Sequence, residues 1–466
     1  MFISTINRQR FRLYQAEGSS LAALSVSILT ALLSNQLLTF IDTVMAGWAG
    51  AVELAGVAVG GSLWLPVFLF MYGVLMAVTP MVAQLHGAGR TGESGPLARS
   101  GILVAIPLVL TAALFLCNAE WAFAWMGVDD GIAHVAAGYL KAISWGLPAA
   151  ALFFLMRNLS EGMGLARPSM LIGLVSLPVN ALVNYLLIYG KMGLPALGGI
   201  GCGWATAITL WFMCALMLLT IRIARPYRAA CFFGPLKTKS VKRAAEIVRL
   251  GLPIGCSLLV ESSVFALIAL FLAPLGALTV SAHQITLNYS SLVFMLPLSM
   301  SSAITIRVGH AVGMGRHDRA RLVSRAGLVI NAIIALFTSA LTLFFSQQIA
   351  SIYTDDRQVI AMAAGLLVFN ALYQFPDSLQ VAAAATLRGY KDTRATLVMV
   401  VLAYWVVSLP LGYSLGLTHF WGEPMGAAGF WISLVVGLGL ASLLLLMRLR
   451  YVERTTALAD RKMVGI

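Results

Sequence analysis

The sequence predicts an all-α integral membrane protein, with twelve transmembrane helices in two pseudo-twofold-related lobes of six. Three observations predict it. Of 466 residues, 60% are hydrophobic and only 11% charged, where a soluble globular chain carries about 25% charged residues. Apolar runs of about 20 residues, the length that crosses a bilayer, recur along almost the whole chain, and the mean hydropathy is +0.89. The chain also matches itself at an offset that carries Ala77 onto Ala303. A soluble enzyme is excluded by the first observation. Separate soluble domains are excluded by the second, because no interval between runs is long enough to bury a core.

The first helix is expected near 22–45, after Arg8, Arg10 and Arg12. Its apolar stretch is too long for a signal-peptide core and no small-residue cleavage site follows, so it stays in the mature protein. The second, near 56–84, contains Pro66 and ends at "GAGRTGES" (87–94); the third, near 97–118, precedes an acidic connection. The fourth, near 132–156, contains Pro148, and the fifth, near 168–190, starts at the turn "GLARPS" and contains Pro178. The sixth, near 199–221, runs into the basic stretch 222–243, the expected linker between an N-terminal lobe (1–221) and a C-terminal lobe (244–466). The seventh lies near 244–272; the eighth, near 281–309, contains Pro297 and ends at "GHAVGMG"; the ninth lies near 322–344. The tenth, near 358–387, contains Pro376 and ends at "GYKDTR", the eleventh, near 393–417, contains Pro410, and the twelfth lies near 427–448. Each of these prolines removes a backbone hydrogen bond and bends its helix. Pro148 and Pro376 hold nearly equivalent positions in the two halves.

Of the 31 Lys and Arg, all but Lys141, Lys191 and Arg357 fall at the N-terminus, the even-numbered connections or the tail. This bias places both termini in the cytoplasm. The net charge of +13 is therefore topological, and no nucleic acid is expected as a partner. The outer connections instead collect Glu53, Glu120, Asp129, Asp130, Asp355, Asp356 and Glu423, a negative mouth that attracts cations.

At the same offset Thr79, Gly87, Gly89 and Arg90 meet Thr305, Gly313, Gly315 and Arg316, and one residue further Gly162 and Arg167 meet Gly389 and Arg394. An even number of helices per repeat gives both copies one orientation, with a cavity expected between two lobes that rock about it.

Of 18 acidic residues, Asp42, Glu261 and Asp377 alone are embedded in apolar sequence, where an ionised carboxylate costs about 2.5 to 3.5 kcal/mol. With no Lys or Arg at matching depth, each is protonated, hydrated or bound to a cation. Asn180 and Asn184 stand one turn apart on one helix face, and Thr206 can add a hydroxyl. By residue type these three fit interhelical hydrogen bonding as well as an ion shell. Tyr373 lies one turn before Asp377 and offers either a ring to a cation or a packing surface.

No GxxxxGK[ST] loop is present, so ATP is not the fuel, and no HExxH or other cluster of metal ligands occurs. Cys117, Cys202, Cys214, Cys231 and Cys256 stand singly and are expected as reduced packing residues. Most of the 20 Met, 22 Phe and 10 Trp face lipid.

The segments "FIDTVMAG" (40–47), "TPMVAQLHGAGR" (79–90), "SEGMGLARPSM" (160–170), "GGIGCGWATA" (198–207), "GLPIG" (251–255), "AHQI" (282–285) and "LRGYKDTR" (387–394), with the three membrane acids, together resemble the multidrug and toxic compound extrusion (MATE) family, in its NorM-like bacterial branch. The resemblance covers nearly the whole chain. It implies a multi-pass protein of the bacterial inner membrane that is a secondary active antiporter and not an enzyme. Such a protein needs no cofactor and expels small cationic or amphipathic drugs and dyes in exchange for Na+ or H+. The residues that match the family's C-lobe cation site are Glu261, Asp377 and Tyr373, with Na+ as one occupant at Glu261 and Asp377. Those that match the N-lobe site are Asp42, Asn180, Asn184 and Thr206, although some branches carry an aspartate in place of Asn184. Substrate contacts are expected at Asp42, Gln284 and Asp356. Membrane lipid is the expected surrounding and a monomer the expected state. A lipid-linked precursor flippase would show extra helices and a more basic cavity, and an integral-membrane transferase would show a catalytic constellation at one interface.

Overall fold

The computed structural model describes residues 2–235, 239–420 and 422–463, with side chains from Tyr14 to Ala457. The side chains of Arg8, Arg10 and Arg12 lie outside the described residues. Among the described residues all regular structure is helical: α1 (Phe2–Ala49), α2 (Ala51–Met76), α3 (Val78–Gly87), α4 (Ser94–Cys117), α5 (Glu120–Trp125), α6 (Asp130–Ser144), α7 (Leu147–Gly162), α8 (Arg167–Tyr189), α9 (Gly199–Ile223), α10 (Lys239–Leu272), α11 (Ala277–Gly313), α12 (His317–Phe344), α13 (Ser346–Ser351), α14 (Arg357–Gly389), α15 (Thr393–Val401), α16 (Leu409–Leu417) and α17 (Ala427–Met463). Among the described residues eleven helical stretches are long and apolar enough to cross a membrane, and α6 with α7, bent by 47°, passes as a twelfth if the pair is taken as one span.

Proline explains where spans break. Its missing N–H is tolerated in the first turn of a helix, but the carbonyl one turn earlier must be left without a partner. Accordingly α3 restarts just before Pro80, and α7 restarts after the bend at Trp145 and Gly146 with Pro148 in its first turn. Ahead of Pro410 the chain adopts a π-helix over Leu402–Ser408 between α15 and α16. Pro66, Pro178, Pro297 and Pro376 instead lie inside continuous helices. Pro148 and Pro376 are thus aligned in sequence but not alike in structure.

The contacts divide the chain into an N-unit, residues Ser27–Gly255, and a C-unit, Met1–Val26 with Cys256–Ile466. The boundaries between these units fall within α1 and α10. These helices begin well before the apolar runs, at Phe2 and Lys239, because a hydrocarbon span limits hydrophobicity and not helical length.

One close approach recurs in both units. A Cβ on Gly162 would stand 2.9 Å from the Thr79 carbonyl oxygen, and one on the matching Gly389 3.2 Å from that of Thr305. Close approach of this kind joins membrane helices where a small residue lets the backbones meet. The N-unit core holds Met71, Leu75, Leu140, Leu147, Phe153 and Met217. In the C-unit α14 packs along α11, α12 and α17, around Leu367, Tyr404, Phe430, Trp431 and Leu434.

Two expectations are corrected. Arg157 and Glu161 were placed in a connection by a span ending near 156, but α7 continues to Gly162 and both side chains are buried and paired at 2.6 Å. The packing role expected for all five cysteines holds for the buried Cys202 and Cys214 and fails for Cys231, which is exposed. Trp48, Trp121, Trp125 and Trp145 are exposed, in keeping with an interfacial aromatic belt.

Candidate cation-binding site

The N-unit gathers every residue of its expected site. Asp42, on the apolar part of α1, is 7% exposed. Its Oδ1 accepts from Asn180 Nδ2 at 3.2 Å and Asn184 Nδ2 at 2.6 Å, both on α8, and its Oδ2 accepts from Thr206 Oγ1 on α9 at 2.7 Å. Asn184 Nδ2 also reaches Asn180 Oδ1 at 3.1 Å, as their one-turn spacing allows. Three donors on two carboxylate oxygens offset much of the cost of burying the charge.

The C-unit acids are supplied differently. Glu261 on α10 accepts a single hydrogen bond, from Gln380 Nε2 on α14 at 3.0 Å, and Gln380 is held in turn by the Tyr404 hydroxyl at 3.2 Å. Asp377, 5% exposed, has no hydrogen-bond partner among the described residues. The Glu261 charge acts on Asp377, both carboxylates act on the Tyr373 and Tyr404 hydroxyls, and the Arg388 charge acts on Glu261 with no ion pair between the two. Among the described residues, ion pairs join basic side chains to Glu17, Glu93, Glu120, Glu161, Asp318 and Asp392, never to Asp42, Glu261 or Asp377. No group of three His, Cys, Asp or Glu suited to a metal ion occurs among them either. Among the described residues the partly buried Glu261 and the buried Asp377 have one protein hydrogen-bond donor between them and no ion pair, and a proton or a monovalent cation would complete them.

Tyr373 is buried with its ring edge against Trp431, centroids 5.9 Å apart, so packing accounts for its ring. Gln284 is exposed on α11 beside the buried His283. Asp356 caps α14, accepting from the backbone N–H of Gln358 at 2.8 Å and Val359 at 3.4 Å. Neither is bonded to the carboxylates. Other outer acids are also engaged: Glu53 accepts from the Gly199 N–H at the start of α9, Asp129 caps α6, and Glu120 pairs with Lys141. Gln380 and Tyr404 escaped the sequence reading. Gln380 stands three residues after Asp377 on one helix face and was legible by spacing; Tyr404 sits on the π-helix, whose register the sequence does not announce.

The family model MatE matches residues 27–186 and 253–414. The chain belongs to the MatE family. The matched stretches begin 226 residues apart, at 27 and 253, the offset at which the chain resembles itself. Among curated relatives it is similar to the multidrug resistance protein NorM of Vibrio vulnificus, 42% identical over 441 residues, covering 95% of this chain and 97% of that one. It is also similar to the multidrug resistance protein PmpM of Pseudomonas aeruginosa, 44% identical over 436 residues, with 93% and 91% covered. Its fold is shared with the eukaryotic MATE transporter AtDTX14, at a TM-score of 0.85 and 20% identity over 95% of this chain and 99% of that one. It is shared too with an outward-facing multidrug resistance MATE family transporter, at 0.84 and 18% over 94% and 96%. This MatE member is thus a multi-pass membrane transporter and not an enzyme.

Proposed function

We propose that this MatE protein is a multidrug efflux antiporter of the bacterial inner membrane. It acts as a monomer with both termini in the cytoplasm. It exports small cationic or amphipathic drugs and dyes in exchange for H+ or Na+. The relatives named as multidrug resistance proteins support the substrate class. The observation that carries the exchange is the sparsely supplied pair Glu261 and Asp377, partly buried and buried, with one donor between them: such a carboxylate takes a cation from one side and, in a different arrangement of the protein, gives it up or takes a cationic drug. Differential affinity of the two arrangements for the ion supplies the switching free energy. The expected test result is ethidium efflux driven by an imposed proton or sodium gradient in cells whose ATP synthesis is blocked. Collapse of efflux by a protonophore assigns H+, and its dependence on external sodium assigns Na+. Efflux that ignores both gradients overturns the reading.

Asp42, in contrast, is already supplied, and serves as the drug or ion contact of the N-unit. Asp42→Asn keeps the volume and the Thr206 contact while removing the charge. It should lower ethidium efflux about ten-fold or more, the equivalent of one charge-assisted hydrogen bond, with the protein still in the membrane. Unchanged efflux would confine Asp42 to holding α1 against α8 and α9.

A further inference from the structure

The leading parts of α1 and α10 form two arms, each belonging to the unit that does not hold the rest of its helix: the arm up to Val26 is part of the C-unit, and the arm 239–255 is part of the N-unit. By the internal offset Glu17 falls on Arg243, Leu21 on Ile247 and Ser25 on Gly251. The arms seat alike. Leu21 is fully buried in a cluster with Met300, Ala303 and Ile304 on α11. Ile247 is fully buried in a core that includes their counterparts Val74, Ala77 and Val78. Ser25 Oγ meets Ser299 Oγ at 2.9 Å, and a Cβ on Gly251 would stand 2.1 Å from the Val74 carbonyl oxygen.

Their charges do not match. In the C-unit, Glu17 is buried and accepts from Arg307 and, at 2.7 Å, from Arg319 Nε. In the N-unit, Arg243 Nη2 donates to Glu93 Oε2 at 2.8 Å, and Arg90 holds the other oxygen of Glu93 at 2.7 Å. Glu93 and Arg319 are counterparts at the same offset, as are Met81 and Arg307. The pairs Glu17–Arg319 and Arg243–Glu93 are therefore one pair, repeated with the sign of both members reversed.

We propose that this reversal is a key that dictates which arm docks on which unit. The first repeat carries an acid on its arm (Glu17) and an acid in its seat (Glu93), whereas the second carries bases in both places (Arg243, Arg319). An arm that folded back onto the seat of its own repeat would set like charges against each other, Glu17 against Glu93 with Arg90 already engaged by Glu93, and Arg243 against Arg319 and Arg307. The seats differ sterically at one point, since the first arm's Ser25 would bring a Cβ to the place where Gly251 lies against the Val74 carbonyl; the ion pairs reject the wrong docking of either arm.

The test reads assembly and not transport, so it stands apart from the proposed function. Reversing both arms (Glu17→Arg with Arg243→Glu) should reduce the yield of monodisperse full-length protein about ten-fold. Reversing both seats (Glu93→Arg, Arg307→Met and Arg319→Glu) should do the same, for the same reason. Combining all five substitutions sets each arm against a seat of opposite sign again, and yield should return to within about two-fold of the natural protein. A combined variant no better than either half overturns the proposal, as does an arm-reversed variant that assembles normally.

Discussion

Cells carrying Glu261→Gln or Asp377→Asn should keep the protein in their membranes and accumulate ethidium as cells without it do. The glutamine carbonyl at 261 can still accept from Gln380 Nε2, the one bond Glu261 makes, and Asp377 has no hydrogen bond among the described residues for an asparagine to lose. Each amide also removes one of two like charges that act on each other through space, so stability should stay near that of the natural protein. What disappears is a group that a proton or sodium ion can neutralise, and with it the differential affinity that drives the exchange. Loss is expected to be complete in either variant. The check is dye efflux alongside membrane abundance; natural efflux from both amides would remove the two residues from the mechanism.

The second large effect concerns stability. Arg157 and Glu161, one turn apart near the end of α7, have side chains only 4% and 7% exposed and are joined at 2.6 Å. Arg157→Leu leaves the Glu161 charge buried and unpaired, at a cost of about 3–5 kcal/mol, a large share of the total stability of a typical domain. Replacing both, as Arg157→Met with Glu161→Leu, removes the charge together with its partner and should recover most of that loss. Thermal unfolding of the detergent-purified variants checks the order: single lowest, double near the natural protein. A single variant that melts like the natural protein would show that Glu161 does not depend on Arg157.

The sequence was legible wherever a solvent constraint acts on many residues at once. All twelve spans stand out because lipid forces unbroken apolar runs, and Asp42, Glu261 and Asp377 stand out because charge in such runs is costly. The spacing of Asn180 and Asn184 gave one face of a helix, but that this face meets Asp42 came only from the resemblance to a family, since nothing in one chain reports which helices are neighbours. The leading ends of the arms, before about 22 in α1 and 244 in α10, were invisible for the opposite reason: outside hydrocarbon a helix needs no apolar run, so the apolar runs that mark spans begin only there. Glu17 and Arg243 therefore looked like ordinary charges of a solvated flank. Arg157 and Glu161 were assigned to a connection because two charges within five residues resemble a span end, and only their mutual neutralisation lets α7 carry them inside. Tyr404 was hidden by the π-helix before Pro410, which turns a residue away from the face that ordinary helical counting assigns it.

The opposed signs on arms and seats bear on how a duplicated gene could have diverged. Two identical copies of the first half would confront Glu17 with Glu93, and two of the second would confront Arg243 with Arg319 and Arg307. Neither half is self-complementary, so a split gene should yield two partners that need each other and that do not pair with copies of themselves.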